Sequence, residues 1–209
     1  HFRYGLNDWE ELRKLVLTGT YDAFGLLRKS YRNTVEISKF ANDILRHGDF
    51  AVYPVEPIIR HGAAVRVEKQ PDATALLEET VHTIRKWQQD GYETIAVICR
   101  EEKEAAELAE QLKSYMEIVD CNPGTTEFGD GVMVLSVVYT KGLEFDAVLL
   151  YDPTQKKYPA DNGHVKLLYV AATRALHELV VLYHGNLSRI LTDPVSKEKK
   201  QKVFAAETL

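Results

Sequence analysis

The chain predicts an α/β fold, a three-layer sandwich whose mostly parallel, twisted sheet is covered by helices on both faces. Three observations lead there. Apolar runs without polar alternation occur at Val132 to Val138, Ala147 to Tyr151 and Leu179 to Tyr183, as in strands of a parallel sheet buried on both faces. Between such runs lie segments whose apolar residues recur at helical spacing. Strand and helix alternate several times along the chain, the order that builds a helix-covered parallel sheet.

Taken in order, Asp8 to Leu17 reads as a short helix with Leu12, Leu15 and Val16 on one face and Gly19 as its stop. Phe24 to Leu27 is an apolar run suited to a buried strand. Ile37, Phe40, Ala41, Ile44 and Leu45 mark the next helix, for which Asn33 is the expected N-cap with Glu36 three residues on, and Gly48 the end. From Val52 to Lys69 the prolines and glycine at 54, 57 and 62 predict irregular chain with a small strand near Val65. Asp72 then caps a long helix carrying Leu77, Val81, Ile84 and Trp87 on one face and closing at Gly91. Thr94 to Cys99 is the following strand. A further helix is marked by Ala105, Leu108, Ala109 and Leu112, with Glu101 and Glu102 near its positive end. The three apolar runs named above supply later strands, and Leu167 to Ala175 supplies a helix between the last two. Asp193 to Lys202 is polar and lysine-rich, so residues 1–192 read as one domain and 193–209 as a solvated tail.

Composition narrows the classes. Of 209 residues, 45% are apolar and 27% charged, an ordinary globular balance that excludes disorder, collagen and a disulfide scaffold. No apolar run approaches the roughly 20 residues of a membrane-spanning helix, so no membrane partner is expected and a cytoplasmic, reducing compartment fits. Cys99 lies within an apolar stretch and reads as a small buried hydrophobe. A net charge of −5 supplies no general cationic field for nucleic acid; any such contact must be local or come through a partner. The chain opens at His1-Phe2-Arg3-Tyr4 without methionine, which suggests a segment of something longer.

Familiar catalytic signatures are missing. No glycine-rich loop ends in Gly-Lys-Ser/Thr, and no dinucleotide fingerprint follows a strand. There is no Gly-x-Ser-x-Gly elbow, no His-Glu-x-x-His and no cysteine pair at metal-ligand spacing. His177 and His184 flank a strand and read as structural or exposed. A self-sufficient nucleotide hydrolase is not expected.

Three segments stand out against this background. In Leu27 to Thr34 a strand ends in Tyr31 and Arg32 just before a helix, at the kind of carboxyl end where α/β sheets meet ligands. A phenol can stack on a purine and a guanidinium can grip phosphate oxygens. On these two residues alone, a ring at the core edge and a surface ion pair account for them better. In Ser136 to Asp146, again expected at the carboxyl end of a strand, Lys141 could answer a phosphate and Gly142 would permit close backbone approach. Glu144 could accept a ribose hydroxyl, or the segment could be a charged turn between strands. Leu167 to Ala175 is a small-residue helix carrying Arg174, which could equally be a cation complementing the helix dipole.

In order, the three segments resemble the Tyr-Arg-Ser, Lys-Gly-Leu-Glu-Phe and Tyr-Val-Ala-x-Thr-Arg-Ala motifs of UvrD/Rep/PcrA-type superfamily-one helicases. The resemblance runs from about Leu26 to Tyr183 and rests on some two dozen residues. It implies a RecA-like second motor domain, without a phosphate loop, that closes over ATP and Mg2+ held mainly by an N-terminal motor domain of the same polypeptide. Position by position, it implies adenine stacking for Tyr31 and paired arginine fingers for Arg32 and Arg174. It further implies a phosphate contact for Lys141 beside Gly142, and ribose binding for Glu144. DNA would be the track of the full-length protein, and the isolated domain would not turn over ATP.

Two departures bear on the branch. Ser30 stands where the family usually has asparagine, and Val138 where many relatives have a histidine that couples to DNA. The interval from Arg32 to Lys141 is also too short for the large accessory insertion of Rep and PcrA. These features look more like the DNA helicase IV and HelD branch, which would make RNA polymerase a possible partner. A RecA-like module retained for docking to a protein is the alternative from another functional class.

Overall fold

The computed structural model describes residues 33–50, 60–121 and 129–192. The helix expected at Asp8 to Leu17, the strand at Phe24 to Leu27, Tyr31, Arg32 and the tail 193–209 lie outside the described residues, as does the stretch 51–59.

Helix α1 (Val35–Leu45) buries Ile37, Ala41, Ile44 and Leu45. Its N-cap is Thr34, whose hydroxyl accepts from the Ile37 amide at 3.3 Å. The expected cap, Asn33, is one residue too early, and its side chain is engaged elsewhere. Glu36 does not complete a capping box either: its carboxylate meets His61 Nδ1 at 2.8 Å and accepts from the Gly62 amide at 2.9 Å. Strand β1 (Arg66–Lys69) follows, short and largely exposed.

Helix α2 (Ala73–Gln89) starts where Asp72 accepts from the Ala75 amide at 2.8 Å. It buries Leu76, Val81, Ile84 and Trp87, with Leu77 on the flank of that face. The Trp87 ring is fully enclosed and its Nε1 donates to Glu178 at 2.7 Å, a carboxylate that the Tyr92 hydroxyl also reaches at 3.1 Å. Replacing so buried a ring with alanine ordinarily costs about 3–5 kcal/mol. Gly91 takes φ +90° after the helix, a left-handed conformation suited to glycine.

Strand β2 (Thr94–Cys99) has the bounds its sequence predicts, and Cys99 is buried. Helix α3 (Glu102–Leu112) carries Glu102 and Glu104 in its first turn, where the helix dipole favours negative charge. Strand β3 (Gly131–Ser136) stops two residues before the expected Val138, because Val137–Thr140 wind into a 3₁₀ turn closed by the Thr140 hydroxyl on the Val137 carbonyl at 2.6 Å. An apolar run looks the same whether it is strand or buried turn. Strand β4 (Phe145–Tyr151) begins two residues earlier than its apolar run.

The next helix differs most from expectation. Helix α4 spans Asn162–Ala172, capped by Asp161 accepting from the His164 amide at 2.9 Å. Its polar first turn hid its start. Ala175 is not helical but opens strand β5 (Ala175–Tyr183), four residues ahead of the predicted Leu179. His177 consequently lies within this strand instead of flanking it.

Among the described residues five strands pair in parallel, in the order β1-β5-β4-β2-β3. One face of the sheet packs on α1 and α4 through Ile37, Ile44, Leu168 and Ala172, and the other on α2 and α3 through Ile84, Trp87, Leu108 and Leu112. This is the three-layer sandwich that the alternation of elements predicts. Between β4 and β5 the register shifts: Phe145 pairs with Ala175 but Ala147 with Glu178, so the first residues of β5 bulge beside the start of β4. Among the described residues no helix is long and apolar enough to cross a membrane.

Candidate functional site

The site is built at the amino-terminal edge of β4 and β5. Helix α4 delivers Thr173 and Arg174 there and passes straight into β5. The Arg174 carbonyl accepts from the Phe145 amide at 2.9 Å. Its guanidinium donates from Nε to the Val170 carbonyl at 3.1 Å and from Nη1 to the Leu143 carbonyl at 3.2 Å. Arg174 therefore holds the backbone on both sides of Glu144. Burial pulls the arginine pKa down, and the negative charge of Glu144 pulls it back up. The group stays cationic, since guanidinium does not deprotonate in proteins.

The Lys141 segment reaches the same edge by a reversal of the chain. The Leu143 amide donates to the Thr140 carbonyl at 3.1 Å, closing a turn in which Lys141 has φ −57° and ψ 126° and Gly142 has φ +72°. Those are type II turn angles, with glycine at the position that requires positive φ. A Cβ placed on Gly142 would meet no atom within 4 Å, so the turn faces open space. Lys141 is half-buried and Glu144 exposed.

The motif starts at the carboxyl end of a strand, as the sequence predicts, with Ser136 the last residue of β3. From there the 3₁₀ turn and the type II turn carry Leu143 and Glu144 over to the amino end of β4, against Arg174. Of the predicted residues, the structure brings Lys141, Gly142, Glu144 and Arg174 into two adjoining segments; Tyr31 and Arg32 lie outside the described residues.

Several residues that the sequence did not single out for the site complete this edge. Asn33, buried, donates from its carboxamide nitrogen to the carbonyls of Thr173 at 3.0 Å and Ala175 at 2.5 Å, on either side of Arg174. Arg60 donates to the Leu176 carbonyl and meets His177 Nδ1 at 3.0 Å, and the Arg60 carbonyl accepts from the Val35 amide at 3.0 Å. Gly62 is wedged so closely that a Cβ would fall 2.6 Å from Thr34 Cγ2 and 3.2 Å from the His177 carbonyl. Asp146 accepts from the Glu93 and Thr94 amides at 2.8 and 3.0 Å and faces His177 Nε2 at 3.6 Å. Asn33 and Arg60 bind carbonyls of distant segments, which leave no trace in local spacing. Among the described residues no group of three or more His, Cys, Asp or Glu side chains is placed to hold a metal ion. The edge thus offers cations and open backbone, which suit phosphate groups.

Fold and edge together define a RecA-like α/β domain. Residues 131–182, which hold both the Lys141 and the Arg174 segments, match the family model of the UvrD-like helicase C-terminal domain. The chain is also similar to the crystal structure of the C-terminal domain of a possible DNA helicase from Lactobacillus plantarun WCFS1, at 26% identity and a TM-score of 0.65, covering 79% of this chain and 94% of that one. The Hef helicase domain of Pyrococcus furiosus, at 12% identity and a TM-score of 0.38 over 63% of this chain and 28% of that one, is too distant to bear on function. A ribonuclease HII of Aeropyrum pernix is 25% identical over 179 residues, 85% of this chain and 78% of the relative.

Proposed function

We propose that this chain is the second motor domain of a superfamily-one, UvrD-like DNA helicase, closing over ATP and Mg2+ held mainly by an N-terminal motor domain of the same polypeptide. Residues 1–192 form the domain and 193–209 a polar tail, and the protein works in the cytoplasm. The observation that carries this reading is the posture of Arg174. A cation half-buried at a sheet edge costs desolvation, and two carbonyls, of Val170 and Leu143, hold its guanidinium in one plane. They use only part of its donor set.

Such preorganisation suits a group that must meet charge developing on a transferring phosphoryl. In this reading Arg174 and Arg32 are the paired fingers, Tyr31 stacks on adenine, and Glu144 accepts from the ribose. Lys141, at the tip of a turn that Gly142 leaves open, contacts the phosphates. When bound, the nucleotide supplies the scissile phosphoanhydride, and every group assigned here binds, orients or neutralises charge. Hydrolysis would be coupled to movement along DNA, the track favoured by the likeness to a DNA helicase domain. No observation favours RNA polymerase as the partner.

Arg174→Ala in the full-length gene product tests the reading. Turnover of ATP should fall by about three to five powers of ten, while nucleotide binding changes little, because a finger acts mainly on the transition state. Wild-type turnover in that variant would overturn it.

A further inference from the structure

Resting on that reading, we infer that Asn33 is a positioning residue for Arg174 and the link that holds the two arginine segments together. The carboxamide of Asn33 has two N–H donors, and they span the carbonyls of Thr173 and Ala175, the residues on either side of Arg174. Asn33 is 5% exposed, and the two bonds join segments 140 and 142 residues apart in sequence. The span fixes the peptide plane entering Arg174 and the one leaving Ala175, and so the backbone segment that carries the Arg174 side chain, just where α4 gives way to β5. Between these two bonds the Arg174 amide donates to the Ala171 carbonyl at 3.2 Å and the Arg174 carbonyl accepts from the Phe145 amide at 2.9 Å, just before the β4–β5 register shifts.

The same side chain belongs to the residue directly following Arg32. Whatever holds Arg174 therefore also holds the backbone one step from the other proposed finger. Asn33 touches neither phosphate nor nucleobase in this account; it acts through the arginine. The neighbouring contacts favour a rigid bracket: Thr34 caps α1 through the Ile37 amide, and Gly62 packs against the Thr34 methyl.

The test is a double-substitution cycle in the full-length gene product with steady-state ATP turnover, nucleotide binding by a fluorescent ATP analogue, and urea unfolding. Asn33→Ala should lower kcat at least about tenfold while KM and analogue affinity stay within about twofold. In an Arg174→Ala background the same substitution should change kcat by less than about twofold, since the group it positions is gone. Asn33→Ser keeps one hydroxyl donor and serves if the alanine variant does not fold; it should fall between wild type and alanine. Asn33→Asp turns two carbonyl-facing donors into acceptors, and its kcat should recover as pH falls and the carboxyl regains a proton to donate.

Unchanged kcat in the folded Asn33 variants, or an equal loss with and without Arg174, would overturn the positioning role while leaving the finger reading intact. Full turnover by Arg174→Ala alone would remove the finger reading, and this inference with it.

Discussion

Arg174 encloses Glu144 from both sides: its guanidinium takes the Leu143 carbonyl at 3.2 Å and its own carbonyl takes the Phe145 amide at 2.9 Å. One residue thereby fixes the path of the chain through the Lys-Gly-Leu-Glu-Phe segment and the start of β4. Because Asn33 in turn brackets Arg174, three segments far apart in sequence share one hydrogen-bonded edge.

The type II turn makes a sharp prediction about Gly142. Alanine there has open space to occupy but must adopt φ +72°, which costs an L-residue about 1 kcal/mol. Gly142→Ala should lower the unfolding free energy by about that amount in urea titrations. A loss of several kcal/mol, or none, would contradict the turn assignment.

Glu36 predicts a pH effect. Its hydrogen bonds from His61 and from the Gly62 amide hold its pKa down, from the usual 4.5 to about 2. A carboxylate with a lowered folded pKa contributes stability that is present above its unfolded pKa and lost as pH falls through the folded one. The urea midpoint of wild type should exceed that of Glu36→Gln at neutral pH, and the gap should close between about pH 4.5 and pH 2. A gap that persists unchanged to the acid end would refute the assignment.

The two thiols should resist alkylation in the native state. Burial raises Cys99 well above the usual thiol range and Cys121 to about 11, so little thiolate forms near neutrality. Iodoacetamide should label half-buried Cys121 before fully buried Cys99, and both rapidly only in urea. Labelling of Cys99 at its unfolded rate under native conditions would show that β2 is not the covered interior strand described.

Much of the fold is legible in the sequence, for reasons that particular residues make plain. Thr94 to Cys99 has the right bounds because a buried parallel strand is apolar throughout and turn residues flank it. Asp72 reads correctly because a carboxylate three residues before a free amide is a local device. Local reading fails where tertiary contacts decide. Asn33 has the right chemistry for a cap, yet its carboxamide goes to Thr173 and Ala175, and the cap passes to Thr34. Ala175 continues a helical pattern but is drawn into β5 by pairing with Phe145. Val137 is as apolar as a strand residue and turns because Thr140 closes on it. At the site, Arg174 is conspicuous as a cation at the end of a small-residue helix, whereas Arg60 is not, since its partners are the carbonyl of Leu176 and the ring of His177.

The Asn33 bracket also bears on the order of folding. A bond between positions 140 residues apart forms only after the intervening strands have docked, because closing so long a loop is entropically unfavourable until other contacts repay it. A chain emerging from the ribosome cannot present this arginine in its working posture until the last strand has been made. The cation is thereby kept out of position in every incomplete product of synthesis.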